Sequence, residues 1–62
     1  MKYILKTQKE QISKDFGVVG DALNFAYDYL EYCNHYDSEN TEVEISQISR
    51  KGNVKIIGKL YI

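Results

Sequence analysis

The sequence predicts an α+β fold with the order β-α-β-β, in which one amphipathic helix packs on one face of a three-stranded, mainly antiparallel sheet. Three observations predict it: an alternating apolar stretch at the N-terminus, one long stretch with helical apolar spacing, and two alternating stretches joined by turn residues. The 62 residues form a single domain, 1–62. A chain of about this size buries only roughly 60% of its unfolded surface, so the core is thin.

Residues 1–7 predict the first strand, because Tyr3 and Leu5 point to one side and the residues between them to the other. Residues 8–16 allow two interpretations. Thr7 and Glu10 have the residue types and spacing of a capping box. Ile12 and Phe16, four residues apart, fit a short helix that ends at Gly17. A polar connector that crosses to the main helix fits equally well.

The main helix is predicted from a broad apolar arc, with Asp21 as the N-cap candidate and an end near Tyr36. The arc consists of Val18, Val19, Ala22, Leu23, Phe25, Ala26, Tyr29, Leu30, Cys33 and Tyr36. The opposite stripe and its border consist of Asp21, Asn24, Tyr27, Asp28, Glu31 and His35. This pattern is typical of a surface helix with one core-facing half.

The C-terminal third predicts a hairpin whose turn is Arg50–Asn53, with Gly52 in the positive-φ position. Counting outward from that turn places Glu44 opposite Lys59 and Glu42 opposite Tyr61. The faces of the last strand are predicted as Val54, Ile56, Gly58, Leu60 and Ile62 toward the core, and Lys55, Ile57, Lys59 and Tyr61 away from it.

Ile48 breaks the alternation that Val43 and Ile45 establish in the first strand of this hairpin. A β-bulge near Ser46 and Gln47 would return Ile48 to the core side, and we predict one there. In this three-stranded sheet the N-terminal strand either pairs antiparallel with the last strand or runs parallel to the middle one through a right-handed crossover. The first arrangement is favoured, because the last strand is the most apolar and suits the centre.

The net charge of −1 argues against a globally basic nucleic-acid binder, and the 44% apolar content excludes disorder. The charges are nevertheless ordered along the chain. Residues 1–14 carry +3, residues 15–49 carry −8 without a single Lys or Arg, and residues 50–62 carry +4. With the predicted fold, the helix exterior is acidic and the uncovered sheet face carries the lysines.

No set of residues predicts catalysis or a cofactor. Cys33 and His35 lie two positions apart, about 200° around a helix, and Cys33 belongs to the apolar arc, where a free cysteine is a packing residue. Asp28, Glu31 and His35 share one helix face, but metal sites draw ligands from several elements, so no metal is expected. The sequence contains no glycine-rich phosphate-binding loop motif.

We therefore expect a non-enzymatic, inhibitor-like or adaptor-like protein that binds a basic protein partner through Asp21, Asn24, Tyr27, Asp28, Glu31 and His35. A nucleic-acid-binding protein is one such partner, on which the acidic face would imitate the phosphates of the nucleic acid. The uncovered sheet face predicts a homodimer contact or, as the alternative function, direct nucleic-acid binding. Its residues are Ile4, Lys6, Lys55, Ile57, Lys59 and Tyr61.

Two features bear on origin and location. Seven of the eight basic residues are lysine, and residues with AT-rich codons dominate, which indicates a gene from a low-GC bacterium or one of its phages. No apolar run reaches the roughly 20 residues of a membrane span, and no signal-peptide core follows Met1. A cytoplasmic location in a bacterial cell is expected.

Overall fold

The computed structural model describes all 62 residues and is α+β, with four strands rather than the predicted three. Its elements are β1 (Lys2–Lys6), β2 (Gln11–Asp15), α1 (Val19–Tyr36), β3 (Glu42–Ile48) and β4 (Val54–Tyr61). The strands form one antiparallel sheet in the order β2-β1-β3-β4, and α1 packs on one of its faces.

The additional strand, β2, lies in the segment for which a short helix or a connector was predicted; both interpretations were wrong. The Thr7 amide donates to the Glu10 carbonyl at 2.8 Å, and the Glu10 amide donates to the Thr7 hydroxyl oxygen at 3.0 Å. The capping-box spelling therefore closes a β-hairpin loop. Ile12 and Phe16 both pack against the core, because a spacing of four residues places two side chains on one side of a strand as well as of a helix.

The extra hairpin changes the strand pairing. β2 returns the chain before α1 begins, so β3 runs antiparallel to β1 and pairs with it directly, with Leu5 opposite Ile45. Neither predicted partner arrangement for the first strand occurs. β1 and β3 are the central strands, and the last strand, β4, lies at the edge of the sheet.

The β3–β4 hairpin has the predicted register at its open end, where Glu44 lies opposite Lys59. Glu42 lies opposite Tyr61, also as predicted. At the turn the register differs from the predicted one by one residue. The hairpin is closed there by a hydrogen bond of 2.9 Å from the Ser49 amide to the Asn53 carbonyl. Gly52 has the predicted positive φ, 85°.

A β-bulge absorbs this one-residue difference. The register shifts between Ile45 and Ser46, where the pairing passes from Gly58 to Ile56, so the extra residue is Ile57 on β4 and not a residue of β3. The bulge was predicted close to this position but on the other strand. Ile48 therefore stays on the face away from α1, and the predicted return to the core side was wrong.

The bulge reverses the predicted faces of the first half of β4. Ile57 packs against the core, whereas Val54 and Ile56 are each 59% exposed on the opposite face. Lys55 pairs with Gln47, whose amide donates to the hydroxyl of the core residue Tyr3, so Lys55 lies on the helix side of the sheet. Beyond the bulge, Leu60 packs on the core as predicted.

The core lies between α1 and the two central strands. Its fully buried apolar residues are Tyr3, Leu5, Ala22, Ala26, Leu30, Val43 and Ile45. The two alanines bring the helix axis close to the sheet, and Leu30 supplies the largest buried helical side chain. This stripe confirms the centre of the predicted apolar arc.

Both ends of the predicted arc were assigned wrongly. The helix begins after Val18, which caps it through its extended backbone alone, so Asp21 lies in the first turn and is not the N-cap. Val18, Val19 and Tyr36 are exposed. An 18-residue helix is about 27 Å long and the five residues of β1 span about 17 Å, so the helix ends extend past the central strand.

Because of the bulge, the same substitution at two adjacent isoleucines should change the free energy of unfolding by different amounts. Ile57→Thr should lower the free energy of unfolding by about 1–2 kcal/mol, because it places a hydroxyl against the core. Ile56→Thr should change it by less than about 0.5 kcal/mol, because that side chain is exposed. Threonine keeps the β-branched shape, so urea unfolding of the two variants compares burial alone. A larger loss at Ile56 would contradict the bulge on β4.

Candidate protein-binding site

The outward face of α1 is the first candidate surface, and it follows directly from helical spacing. Ala22, Ala26, Leu30 and Cys33 form the buried stripe, so the residues about half a turn away point to solvent. All six residues predicted to bind a protein lie together on this exposed face: Asp21, Asn24, Tyr27, Asp28, Glu31 and His35. We call this surface the helix face.

The free negative charge of the molecule is concentrated on the helix face. Three of the acidic residues in the −8 block have ion-pair partners: Lys9 lies 3.7 Å from Asp37 and 3.4 Å from Glu39, and Lys59 lies 3.9 Å from Glu42. Three acidic residues of the helix have no ion pair, and these are Asp21, Asp28 and Glu31. The −8 block therefore presents a smaller free charge than its sequence indicates, and most of it lies on α1.

Aromatic residues extend the helix face toward its C-terminal end. Tyr32 and Tyr36 are 60% and 72% exposed, and their ring centroids lie 4.8 Å apart. His35 meets Tyr36 edge-on at 5.2 Å. Tyr32 is not one of the six predicted site residues, and Tyr36 was predicted to belong to the core-facing arc. The signal that was available is the spacing of four residues between the two tyrosines, which stacks them on one helix flank.

Cys33 is buried in the apolar arc and His35 is exposed on the opposite stripe, which confirms the predicted positions of the two side chains. The Cys33 thiol donates to the Glu10 carboxylate at 3.0 Å. Burial raises the pKa of the Cys33 thiol, and the hydrogen bond to Glu10 raises it further. The thiol is therefore held in its neutral, unreactive form.

The Tyr29 hydroxyl belongs to the same buried cluster and has no hydrogen bond of good geometry. Burial raises the pKa of this phenol well above its ordinary range, and the neighbouring Cys33 and Glu10 add to the effect. The cluster joins Glu10, in the loop between β1 and β2, to the C-terminal half of α1. It is a structural contact between the hairpin and the helix; the core-facing positions of Tyr29 and Cys33 were predicted from the sequence, whereas the contact with Glu10 was not.

Asn40 fixes the C-terminal end of the helix face and is almost fully buried, at 1% exposure. Its side-chain amide donates to the Cys33 carbonyl at 3.3 Å and its side-chain oxygen accepts from the Lys9 amide at 3.0 Å. Its own carbonyl accepts from the Asn34 side chain at 2.9 Å. One side chain thus holds the last helical turn, the loop after it and the β1–β2 loop together.

The sheet face away from α1 is the second candidate surface, and we call it the open face. Of the six residues predicted to form it, Ile4, Lys6, Lys59 and Tyr61 lie there, whereas Lys55 and Ile57 lie on the helix side of the bulge. The residues that the sequence analysis missed are Ile48, Val54 and Ile56, which the bulge and the unbulged β3 bring to this face. The correction makes the open face more apolar than predicted.

The open face is also less basic than predicted. It keeps Lys2, Lys6 and Lys59, but the register places Asp15, Glu42 and Glu44 on the same face. Three cations balanced by three carboxylates give a nucleic-acid backbone little to bind, because such binding depends on the number of phosphates neutralised. Tyr61 is the only aromatic residue on this face, while single-strand platforms stack several bases.

The surface has two clefts, both shallow and near the open face. One is lined only by polar residues, Lys6, Thr7, Gln8, Glu42 and Glu44; the other is lined by Met1, Lys2, Asp15, Ile48, Ser49 and Arg50. No group of three or more His, Cys, Asp or Glu side chains is arranged to hold a metal ion. The helix α1 lacks the continuous apolar length that a membrane crossing requires.

Comparisons with protein-family models, with curated proteins and with solved structures return no match. The two surfaces are therefore interpreted from their own residues and geometry.

The buried thiol predicts a loss of stability at alkaline pH. An unfolded cysteine has a pKa of about 8.5, and the folded-state pKa of Cys33 is higher. The folded chain keeps its proton where the unfolded chain releases it, so this contribution is complete below about pH 8.5 and declines above it. Urea unfolding between about pH 8 and 9.5 should show a falling free energy of unfolding for the native chain.

The matched variant for this prediction is Cys33→Ala, in which the decline over the same pH range should be largely removed. Tyr29→Phe is the control, because an unfolded tyrosine has a pKa of about 10 and titrates above that range. An equal decline in the native chain and in Cys33→Ala would show that another group is responsible.

Proposed function

We propose that this chain is a small non-enzymatic binding protein that engages a basic protein partner through the helix face. The observation that carries the proposal is the set of three unpaired acidic side chains, Asp21, Asp28 and Glu31, on a surface without any cation. A face of one charge sign raises the rate of encounter with an oppositely charged surface and rejects acidic ones.

The exposed tyrosines support the same proposal. Tyr27, Tyr32 and Tyr36 are 46%, 60% and 72% exposed beside the acidic residues. Tyrosine is enriched at protein interfaces, because it buries a large area with few rotatable bonds and keeps a polar tip for a hydrogen bond. Acidic residues provide selection of the partner by charge, and the tyrosine rings provide the area that is removed from water.

The chemistry of this face indicates which partner side chains fit. A guanidinium or ammonium group over the paired rings of Tyr32 and Tyr36 would gain cation–π attraction and lie close to Asp28, one turn before Tyr32. Arginine fits best, because its planar group stacks on aromatic rings and also forks onto a carboxylate. A nucleic-acid-binding protein, whose phosphate site is rich in such side chains, is the partner class that we propose.

The non-enzymatic part of the proposal rests on the lining of the two clefts. An active site is usually a concave, mostly apolar pocket in which a few polar groups converge. Here one cleft is lined by no hydrophobic residue, and the groups with shifted pKa values, Cys33 and Tyr29, line neither. A role for a phage or another mobile element inside a bacterial cell fits the composition and stays part of this proposal.

Charge reversal on the helix face tests the proposal. The immobilised chain is used to capture proteins from a bacterial lysate, and the bound proteins are identified by mass spectrometry at two salt concentrations. Asp28→Lys with Glu31→Lys should abolish capture of basic proteins that the native chain retains at low salt. The matched control is Glu42→Lys with Glu44→Lys, the same charge change on the open face, which should leave their capture intact.

Truncation of the tyrosines tests the second half of the site with a purified partner obtained in this way. Tyr32→Ala or Tyr36→Ala should weaken binding about tenfold or more, as expected for loss of a central interface aromatic. Tyr61→Ala, at 64% exposure on the open face, is the control and should bind normally. Unchanged affinity in both helix variants, or equal capture by the charge-reversed and control baits, would refute binding through the helix face.

A further inference from the structure

The open face carries a contiguous apolar patch that α1 does not cover. Ile4 on β1, Ser46 on β3 and Ile56 on β4 form one row across the sheet, and Ile48 on β3 lies opposite Val54 on β4 in the next row. Ile4 and Ile48 are half-buried among their neighbours, whereas Val54 and Ile56 are each 59% exposed. An antiparallel sheet with one solvated face normally places polar residues there. Four β-branched apolar residues in two adjacent rows therefore indicate a surface that is covered by a partner.

A row of alternating charge borders this patch. Lys6, Glu44 and Lys59 lie directly across from one another on β1, β3 and β4, so the order across the three strands is plus, minus, plus. The alternation has a consequence for symmetry. In a face-to-face pair related by a two-fold axis in the plane between the sheets, each side chain meets the residue reflected across that axis.

The axis can run parallel to the strands and lie between two neighbouring strands of this row. For either of the two placements, Glu44 faces a lysine of the second copy. If the axis lies between β1 and β3, Glu44 faces Lys6 of the other copy. If it lies between β3 and β4, Glu44 faces Lys59. With the axis between β1 and β3, Ile48 would face Lys2 and Val54 would face Asp15 of the other copy. With the axis between β3 and β4, Ile48 faces Val54 and Ser46 faces Ile56, so the apolar residues meet in this second arrangement, and two copies of each contact form. The open face is thus complementary in charge to itself.

We propose that the open face binds a second copy of this chain, with the two sheets packed face to face about an axis between β3 and β4 and Glu44 of each copy opposite Lys59 of the other. This inference is independent of the proposed function, because the helix face lies on the other side of the sheet and stays accessible in both copies.

Face-to-face packing is favoured over pairing of the two β4 edges. An unprotected edge strand invites a second strand, and bulges and lysines are the usual protection against this. β4 has both: the bulge at Ile57 and the lysines Lys55 and Lys59 along its length. The other edge, β2, is only five residues long and polar. The face is therefore the part of the sheet that is left for a second copy.

The area of the face sets the strength of the contact. With the axis between β3 and β4, the contact is built on these two strands, about 4.8 Å apart and up to about 26 Å long, which cover roughly 250 Å². A standard interface removes about 800 Å² per partner, so this one belongs to the small and weak class. Dimerisation should accordingly depend on concentration and be visible by sedimentation velocity from micromolar to near-millimolar protein.

The apolar patch is tested with two exposed residues of matched accessibility. Ile56→Lys should raise the dissociation constant of the dimer at least about tenfold, because it places a charge within the contact. Val18→Lys, at 60% exposure beside the start of α1, should leave the dimer unchanged. Circular dichroism checks that both variants are folded. A native chain that stays monomeric over the whole concentration range would overturn the proposal.

The charge row allows a sharper test by mixing. Two variants are prepared: Glu44→Lys, and the double variant Lys6→Glu with Lys59→Glu. Each should be monomeric on its own, because like charges then face one another across the axis. An equimolar mixture of these two variants should form a heterodimer, since each lysine again faces a glutamate of the other copy. Asp28→Lys is the control for added charge and should dimerise as the native chain does. Failure of the mixture to associate, with both variants folded, would overturn the charge pairing and the proposed face with it.

Discussion

One helix has to supply the whole cover for four strands, and this constraint organises the rest of the molecule. The 18 residues of α1 shield one face of the sheet, and only eight apolar side chains are buried, namely the seven of the core and Cys33. Two of them are alanines, which contribute little apolar area but bring the helix near enough for Leu30 to reach the central strands. Because so little area is buried, the polar contacts that fasten the helix carry weight. Asn40 and Glu10 connect its C-terminal half to the first hairpin, and a buried side chain of this kind is costly to leave unpaired.

Local patterns in the sequence were sufficient for the helix and for the open end of the last hairpin. Helical spacing depends only on the chain's own geometry, so the buried stripe from Ala22 to Cys33 was predicted correctly. The second strand was not, because the spacing of Ile12 and Phe16 satisfies a helix and a strand alike. Tertiary pairing with β1 decides between them. That decision then reverses the chain direction and determines which strands are central, so one ambiguous segment of nine residues changed the whole topology.

The two candidate surfaces differ in the same way. The helix face was predicted as a set, since its members are related by rotation around one axis. The open face depends on a single inserted residue, Ile57, and a shift of one residue in a strand exchanges the faces of every side chain on that side of the insertion. Val54, Lys55 and Ile56 were therefore assigned to the wrong faces, while Lys59 and Tyr61, beyond the bulge, were assigned correctly. The composition of a sheet surface is thus less secure than that of a helix surface whenever a bulge is present.

The order of charges along the chain acquires its meaning from the topology. Strands come from both ends of the chain and the helix from its middle, so the outer basic blocks contribute to the sheet and the central acidic block to α1. Three of the carboxylates in that block reach the sheet instead and balance its lysines, which leaves an open face that is neutral overall and a helix face that is not. The smallest extent of the molecule is 15 Å, nearly twice the Debye length of about 8 Å at physiological ionic strength. Charges on one surface are therefore largely screened from the other, and each surface can be occupied by its own partner without an electrostatic penalty from the opposite side.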